Sequence, residues 1–161
     1  MASERAALTR RVFCFGNPLH GDDGIGPRIA AALRQMRWPE DVEVVEMGVR
    51  ALELPGLLED CAAAVLVDAV RGDGIAGQVA VRRVAEILRP EDGATISHAA
   101  DLQFALRSAQ AEFGRLPPTR VVTVTVADLK TFTIGLSPAV ERAVPLAVAH
   151  IVSLLRAGPD R

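Results

Sequence analysis

Apolar positions along the chain form two kinds of pattern, and together these predict an α/β protein. Short apolar or alternating runs bounded by turn residues are typical of strands, and fully apolar runs indicate strands covered on both faces. Runs of this kind lie at Val12–Phe15, Val42–Met47, Ala62–Val67, Gln78–Val84 and Val121–Val126. We therefore expect a sheet of about five strands.

The segments between several of these runs carry apolar residues at helical spacing instead. Such segments lie at Ile25–Met36, Leu52–Leu58, His98–Phe113 and after Ser137. The last helix is predicted to begin with Ser137 as N-cap and Pro138 at its first position. Strands that alternate with helices predict a three-layer α/β/α sandwich around a twisted, mostly parallel sheet.

Composition limits the classes of partner that the protein can have. A chain of 161 residues with 50% hydrophobic content is the size of one domain, so we expect a single domain over 1–161, with a loose polar leader at 1–10. The 18 Lys and Arg are scattered along the chain and the net charge is -2. This pattern predicts neither nucleic acid nor an anionic membrane as a partner.

No apolar run approaches the roughly 20 residues that span a bilayer, so the protein is expected to be cytoplasmic. Its cysteines, Cys14 and Cys61, are flanked by apolar residues and have no second cysteine at metal-ligand spacing. We interpret them as buried, reduced thiols.

The loop from Gly16 to Gly26 is the most unusual stretch of the sequence. Its glycines do not fall as G-x-G-x-x-G, and Asp22-Asp23 stand where a phosphate loop needs Lys and Ser or Thr. Two carboxylates at a helix N-terminus would repel phosphate and suit a cation. They could also be stabilised by the helix dipole with no further role.

Two further residues make a metal site the better interpretation. Asp68 ends an apolar strand, at the carboxyl edge where α/β folds place their ligands, although it could instead cap the glycine-rich loop that follows. His98 follows Ser97, the predicted cap of its helix, and the helix dipole should favour the neutral imidazole that a metal needs. Of the other histidines, His150 is expected to be structural, and His20 stays open as a neighbour of the site.

Two carboxylates and one imidazole form a donor set suited to a divalent ion such as zinc or nickel, with positions left open for another ligand. We therefore predict that Asp23, Asp68 and His98 converge on one metal site, as exposed groups at the sheet edge. The sequence contains no H-E-x-x-H motif and no G-x-S-x-G elbow.

Four segments also carry a family resemblance. Phe15–Gly26 is similar to G-N-x-L-x-x-D-[DE]-x-x-G, and further matches lie at Val65–Ala69, Ile96–His98 and Gly135–Pro138. By these motifs the chain resembles the hydrogenase maturation endopeptidases, which trim the C-terminus of the large subunit of nickel-iron hydrogenases. The resemblance implies that Asp23, Asp68 and His98 contact the metal.

The resemblance also implies an activity. The enzyme would remove the C-terminal extension of a hydrogenase large-subunit precursor after nickel insertion, with nickel presented by the substrate and no permanent cofactor in the enzyme. No residue stands out as a nucleophile or general base. The alternatives are a relative that checks nickel in the precursor without cutting it, and a small-molecule metallohydrolase.

One segment departs from the family pattern. Where the family has Asp-Gly-Gly-Thr after the second strand, a segment thought to engage the substrate, this chain reads Glu46-Met47-Gly48-Val49 followed by Arg50. Of the family pattern, this chain keeps only Gly48 and an acidic residue, Glu46. We expect the difference to affect which precursor is bound and to leave the metal site intact.

Overall fold

A computed structural model describes residues 8–72, 74–89, 95–96, 98–127, 129 and 132–158. Its strands are β1 (Thr9–Phe15), β2 (Val42–Gly48), β3 (Cys61–Arg71), β4 (Val79–Arg83), β5 (Thr95–Ile96) and β6 (Thr119–Thr125). Its α-helices are α1 (Ile25–Arg34), α2 (Leu54–Leu58), α3 (Val84–Leu88), α4 (Ala99–Phe113) and α5 (Pro138–Ala157). Short 3-10 turns lie at Gly21–Gly24 and Ala51–Glu53.

The strands form one mostly parallel sheet, as predicted. Its order is β2-β1-β3-β6-β4, with β5 paired beside β3. The first four strands of this order are parallel, whereas β4 and β5 run antiparallel to their neighbours. Parallel strands place their carboxyl ends at one edge, so the loops after β1, β2, β3 and β6 meet there.

Each face of the sheet carries its own hydrophobic core, which makes the three predicted layers. Along β1 the side chains alternate between faces: Val12 and Cys14 pack with α1 and α5, and Phe13 and Phe15 pack with α2 and α4. This strand is buried on both sides because helices cover both faces, which explains its continuous apolar run.

The third strand is longer than the sequence indicated, and this changes the position of Asp68. Pairing with β1 ends at Val67, but pairing with β6 continues to Val70. Asp68 therefore lies inside β3 and is completely buried, so the predicted exposed position at the strand end was wrong. Its neighbour β6 supplies the hydrogen bonds that extend the strand past that point.

The predicted element ends were wrong at two other places. The N-cap of α4 is His98 itself, while Ser97, the predicted cap, lies outside the described residues. The leader was predicted over 1–10, but β1 already begins at Thr9 because its backbone pairs with β3; residues 1–7 lie outside the described part. The predicted start of α5, with Ser137 as N-cap followed by Pro138, is confirmed.

Helix α5 has the length and hydropathy of a membrane-spanning helix, with 20 residues and a mean hydropathy of 1.4. The expectation that no apolar segment approaches this length was wrong, because Glu141 and Arg142 interrupt the run without ending the helix. In the fold, one side of α5 is buried against α1 and the sheet. A core helix of this kind satisfies the same criteria, so α5 does not indicate a membrane.

Both cysteines are buried free thiols, as expected from their apolar neighbours. Burial raises the pKa of Cys14 to about 12, and burial also raises the pKa of Cys61. Both therefore stay protonated at neutral pH and belong to the two cores.

Candidate metal centre

The loop between β1 and α1 reaches the end of the sheet because two glycines allow close backbone approach. Gly16 has φ +138°, and a Cβ there would lie 2.0 Å from the backbone oxygen of Asp23. A Cβ on Gly26 would lie 1.8 Å from the backbone oxygen of Phe15. Only glycine fits at these two positions. The missing side chains allow the 3-10 turn Gly21–Gly24, which contains Asp22 and Asp23, to pack against the end of β1.

The two neighbouring aspartates of this turn have different roles. Asp22 is buried, and its carboxylate accepts hydrogen bonds from the Ser137 backbone N–H at 2.6 Å and from the Ser137 hydroxyl at 2.9 Å. It therefore ties the loop to the N-cap of α5. No sequence pattern indicates this contact, because the two residues are separated by 115 positions.

Asp23 turns toward the sheet and is incompletely satisfied. One oxygen, Oδ2, accepts the backbone N–H of Asn17 at 2.7 Å. The other, Oδ1, is buried and has no hydrogen-bond partner in the described part of the chain. An unpaired buried carboxylate oxygen is unfavourable unless a cation or another donor approaches it.

The fully buried Asp68 and the partly buried His98 form a pair beside it. The Nδ1 atom of His98 lies 3.1 and 3.2 Å from the two carboxylate oxygens of Asp68. Asp68 also accepts the backbone N–H of Ala69 at 2.8 Å. The imidazole Nε2 lies 3.9 Å from Oδ2 of Asp23. When Nδ1 donates its proton to Asp68, Nε2 carries a lone pair on the side of Asp23.

The electrostatics of this pair differ from the expectation based on the helix dipole. The hydrogen bond to Asp68 raises the pKa of His98, with burial acting in the opposite direction. Burial raises the pKa of Asp68, and the contact with His98 opposes that shift. The direction of this pKa shift is opposite to the one expected from the helix dipole, because a carboxylate in direct contact outweighs a dipole at the first turn.

The three predicted residues are therefore brought together. One ligand atom from each of Asp23, Asp68 and His98 lies within 4.8 Å of the others. Two carboxylates and an imidazole match the donors of a borderline divalent ion, and the unpaired Asp23 oxygen fits a cation at the same place. Metal binding itself stays a prediction.

The other histidines are not members of this group of ligand atoms. His20 pairs through its backbone with Thr133, next to the bond from the Gly21 N–H to the Thr133 oxygen. These contacts join the acidic loop to the segment before α5. His150 lies half-buried within α5, and its structural role stays a prediction.

The segment that departs from the family pattern is held by ion pairs. Glu46 contacts Arg34 at 2.9 Å, and Arg50 contacts Glu53 at 2.9 Å while donating to the backbone oxygen of Glu46. Gly48 has φ +57°, so glycine is favoured there. Met47 is completely buried in the core. The segment therefore contributes to core packing, while its charged side chains lie at the surface.

Comparison with known proteins identifies relatives along most of the chain. A sequence model of the hydrogenase maturation protease family matches residues 27–154. Among solved structures, the hydrogenase maturating endopeptidase HybD from Escherichia coli is 28% identical with a TM-score of 0.82, covering 92% of this chain and 93% of the other. No curated protein matches this chain.

Two archaeal structures are also similar. The hydrogenase 2 maturation peptidase from a Thaumarchaeota archaeon is 26% identical with a TM-score of 0.66, covering 91% of this chain and 97% of its own. The [NiFe] hydrogenase maturation protease HybD from Thermococcus kodakarensis is 20% identical with a TM-score of 0.75, covering 91% and 98% respectively. At 20% identity, the likeness to the Thermococcus kodakarensis protein supports the fold alone.

The different roles of the adjacent aspartates can be tested by unfolding. Asp22→Ala leaves the Ser137 N–H without its acceptor, so we expect the free energy of unfolding to fall by about 1 to 3 kcal/mol. Asp23→Asn keeps an acceptor for Asn17 and removes an unpaired buried charge, so metal-free stability should be unchanged or higher. Urea unfolding in the presence of a chelator measures both.

The Asp22→Asn variant is the matched control, because it keeps the shape and an acceptor for Ser137 while removing the same charge as Asp23→Asn. Its stability should lie between that of the wild type and that of Asp22→Ala. Equal destabilisation by Asp22→Ala and Asp23→Asn would show that the two aspartates do not have separate roles.

Proposed function

Because this chain belongs to the hydrogenase maturation protease family, we propose that it removes the C-terminal extension of a nickel-iron hydrogenase large-subunit precursor once nickel has been inserted. Membership makes the chain an endopeptidase. The precursor is the proposed partner, and the cytoplasm, where such precursors would be assembled, is the proposed location.

The observation that carries this proposal is the group formed by the buried Asp23 and Asp68 with the partly buried His98. These side chains lie next to the carboxyl end of β1, where the loops at the sheet edge can receive a peptide, and their ligand atoms lie within 4.8 Å of one another. Asp23 Oδ1 has no partner among the described residues. A cation that arrives with the substrate would occupy the place that this oxygen faces.

Nickel is best treated as part of the substrate. The three ligands come from different segments and include no cysteine, so the free enzyme offers a weak, open site. A precursor that already holds nickel through its own thiolates would supply most of the coordination. Asp23, Asp68 and His98 would complete it in the complex and so report that nickel is present.

The reaction itself is hydrolysis of a peptide bond near the precursor's last cysteine ligand. Water adds its oxygen to the carbonyl carbon, the C–N bond breaks, and the released amine takes a proton. A bound divalent ion can polarise such a water. On the enzyme side, the contact between Asp68 and His98 Nδ1 would fix the imidazole orientation, so that His98 Nε2 and the two carboxylates would meet the metal with little rearrangement.

The first prediction concerns the metal-contacting residues. His98→Ala removes one metal contact, and Asp68→Asn replaces the carboxylate that contacts the metal and orients the imidazole. Each should lower processing of a nickel-loaded precursor by about 100-fold. Since Asp68 is buried, Asn is the suitable replacement; Ala would also create a cavity. Precursor mass measured over time gives the rate.

Circular dichroism and the unfolding midpoint serve as controls for the fold of these variants. His150→Ala removes a histidine outside the group of ligand atoms and should process the precursor at the wild-type rate. Full activity in His98→Ala or Asp68→Asn would contradict the assigned site.

The second prediction is that metal in the substrate gates the reaction. Cleavage should require nickel-loaded precursor and resist chelators after insertion, whereas nickel supplied to the enzyme alone should have no effect. Elemental analysis of purified enzyme should find much less than one metal ion per chain. One tightly bound equivalent, or equal cleavage of nickel-free precursor, would favour the independent metallohydrolase.

The third prediction concerns the choice of precursor. The complete family segment would replace the buried Met47 by Gly and open a cavity, so the suitable variant is Glu46→Asp with Val49→Thr. Both positions are exposed. This double variant should change the relative rates across a panel of large-subunit precursors, since exposed polar groups set specificity. If the order of rates is unchanged, residues outside this segment determine which precursor is cut.

A further inference from the structure

Five arginines surround a cavity whose lining includes none of the residues of the candidate metal centre. The cavity has a volume of about 650 Å³, and Arg83, Arg89, Arg107, Arg115 and Arg120 line it. No Asp or Glu lines it in the part of the chain that the structure describes. The sequence showed scattered basic residues, but the fold gathers these five where β4, β6, α3 and α4 meet.

Two of these arginines stand directly opposite each other in the sheet. Arg83 of β4 is the register partner of Arg120 of β6 in an antiparallel pair. Directly opposed residues of antiparallel strands lie on the same face, and like charges there are destabilising. The sheet therefore keeps a repulsive pair at the wall of the cavity, which a bound anion would relieve.

Helix ends explain only part of this charge. Arg89 and Arg115 follow the C-termini of α3 and α4, where a positive charge is favourable in any protein. That reason does not apply to Arg83 and Arg120 on the strands. Favourable charge at helix ends therefore does not explain why all five arginines line the same cavity.

The guanidinium groups keep most of their donors available. Arg107 donates one hydrogen bond to the Leu88 oxygen, and Arg120 donates one to the Thr119 oxygen. Each guanidinium has five N–H donors, so several remain for a ligand. Arginine forks match phosphate oxygens in pairs, which a single ammonium cannot do.

We propose that this cavity binds a small molecule that carries several phosphate groups, such as a nucleoside triphosphate or an inorganic polyphosphate. The volume lies within the usual range for small-ligand pockets. Val84, Leu88, Leu116 and Pro117 add an apolar wall beside the arginines, which suits an organic group attached to the phosphates. The proposal does not depend on the hydrogenase precursor as substrate.

Isothermal titration calorimetry of the full chain at about 0.15 M salt, a physiological ionic strength, tests the proposal, with chelator present to remove divalent ions. Tripolyphosphate and ATP should each bind at one site per chain, and AMP should bind at least about tenfold more weakly, because it offers fewer charge-assisted contacts. Equal affinity for tripolyphosphate and ATP would show that the cavity recognises the phosphates alone. Tighter binding of ATP would show that the nucleoside also contributes to the affinity.

The informative variant is Arg89→Gln with Arg115→Gln, because both side chains are exposed. It should weaken triphosphate binding by about tenfold or more. Arg37→Gln with Arg142→Gln removes the same charge from exposed positions outside the cavity and should change the affinity by less than about twofold. Unfolding midpoints check that both variants fold.

Three outcomes would overturn the proposal. They are the absence of saturable binding of either polyphosphate, an equal loss of affinity in the two double variants, and tighter binding of a glutamate-rich peptide than of tripolyphosphate. The last result would indicate an acidic protein segment as the ligand.

Discussion

The burial of two carboxylates beside one imidazole is the constraint on which the candidate site depends. Asp23 and Asp68 are almost fully enclosed, and a single imidazole lies between them. His98 can pair closely with only one carboxylate, and it is hydrogen-bonded to Asp68. The other carboxylate keeps an oxygen without a partner in the described residues. Desolvated, unpaired charge is unfavourable, so a positive charge at this place would be stabilising, and in the proposed function the metal of the substrate supplies it.

The surrounding structure holds this unfavourable arrangement in place. The absence of side chains at Gly16 and Gly26 lets the acidic turn approach the end of β1, and Asp22 fastens the same turn to Ser137 at the start of α5. Helix α5 is in turn packed into one of the two cores. Contacts in several parts of the domain therefore determine the position of Asp23, so its incompletely paired carboxylate stays in place at the candidate site.

Sequence reasoning predicted the layers and the meeting of Asp23, Asp68 and His98, because continuous apolar runs identify buried parallel strands and parallel strands end at one edge. It did not predict that Asp68 lies inside β3, since the extension depends on pairing with β6. It also misjudged the pKa of His98, because a dipole is visible in sequence and a contact with Asp68 is not. The contact of Asp22 with Ser137 was missed for the same reason, which is its long separation along the chain.

The two charged regions of the molecule share the strand β6 but lie at different points along it. Thr123 is the register partner of Asp68, and Arg120 begins the arginine cavity three residues earlier. Three residues of strand span about 10 Å, and salt screens buried charges such as Asp23 and Asp68 much less than charges in solution. A polyphosphate bound among the arginines would thus make the potential at the candidate metal centre more negative, and salt would reduce this effect only in part. Strand β6 also connects the two regions directly, because it packs between β3 and β4.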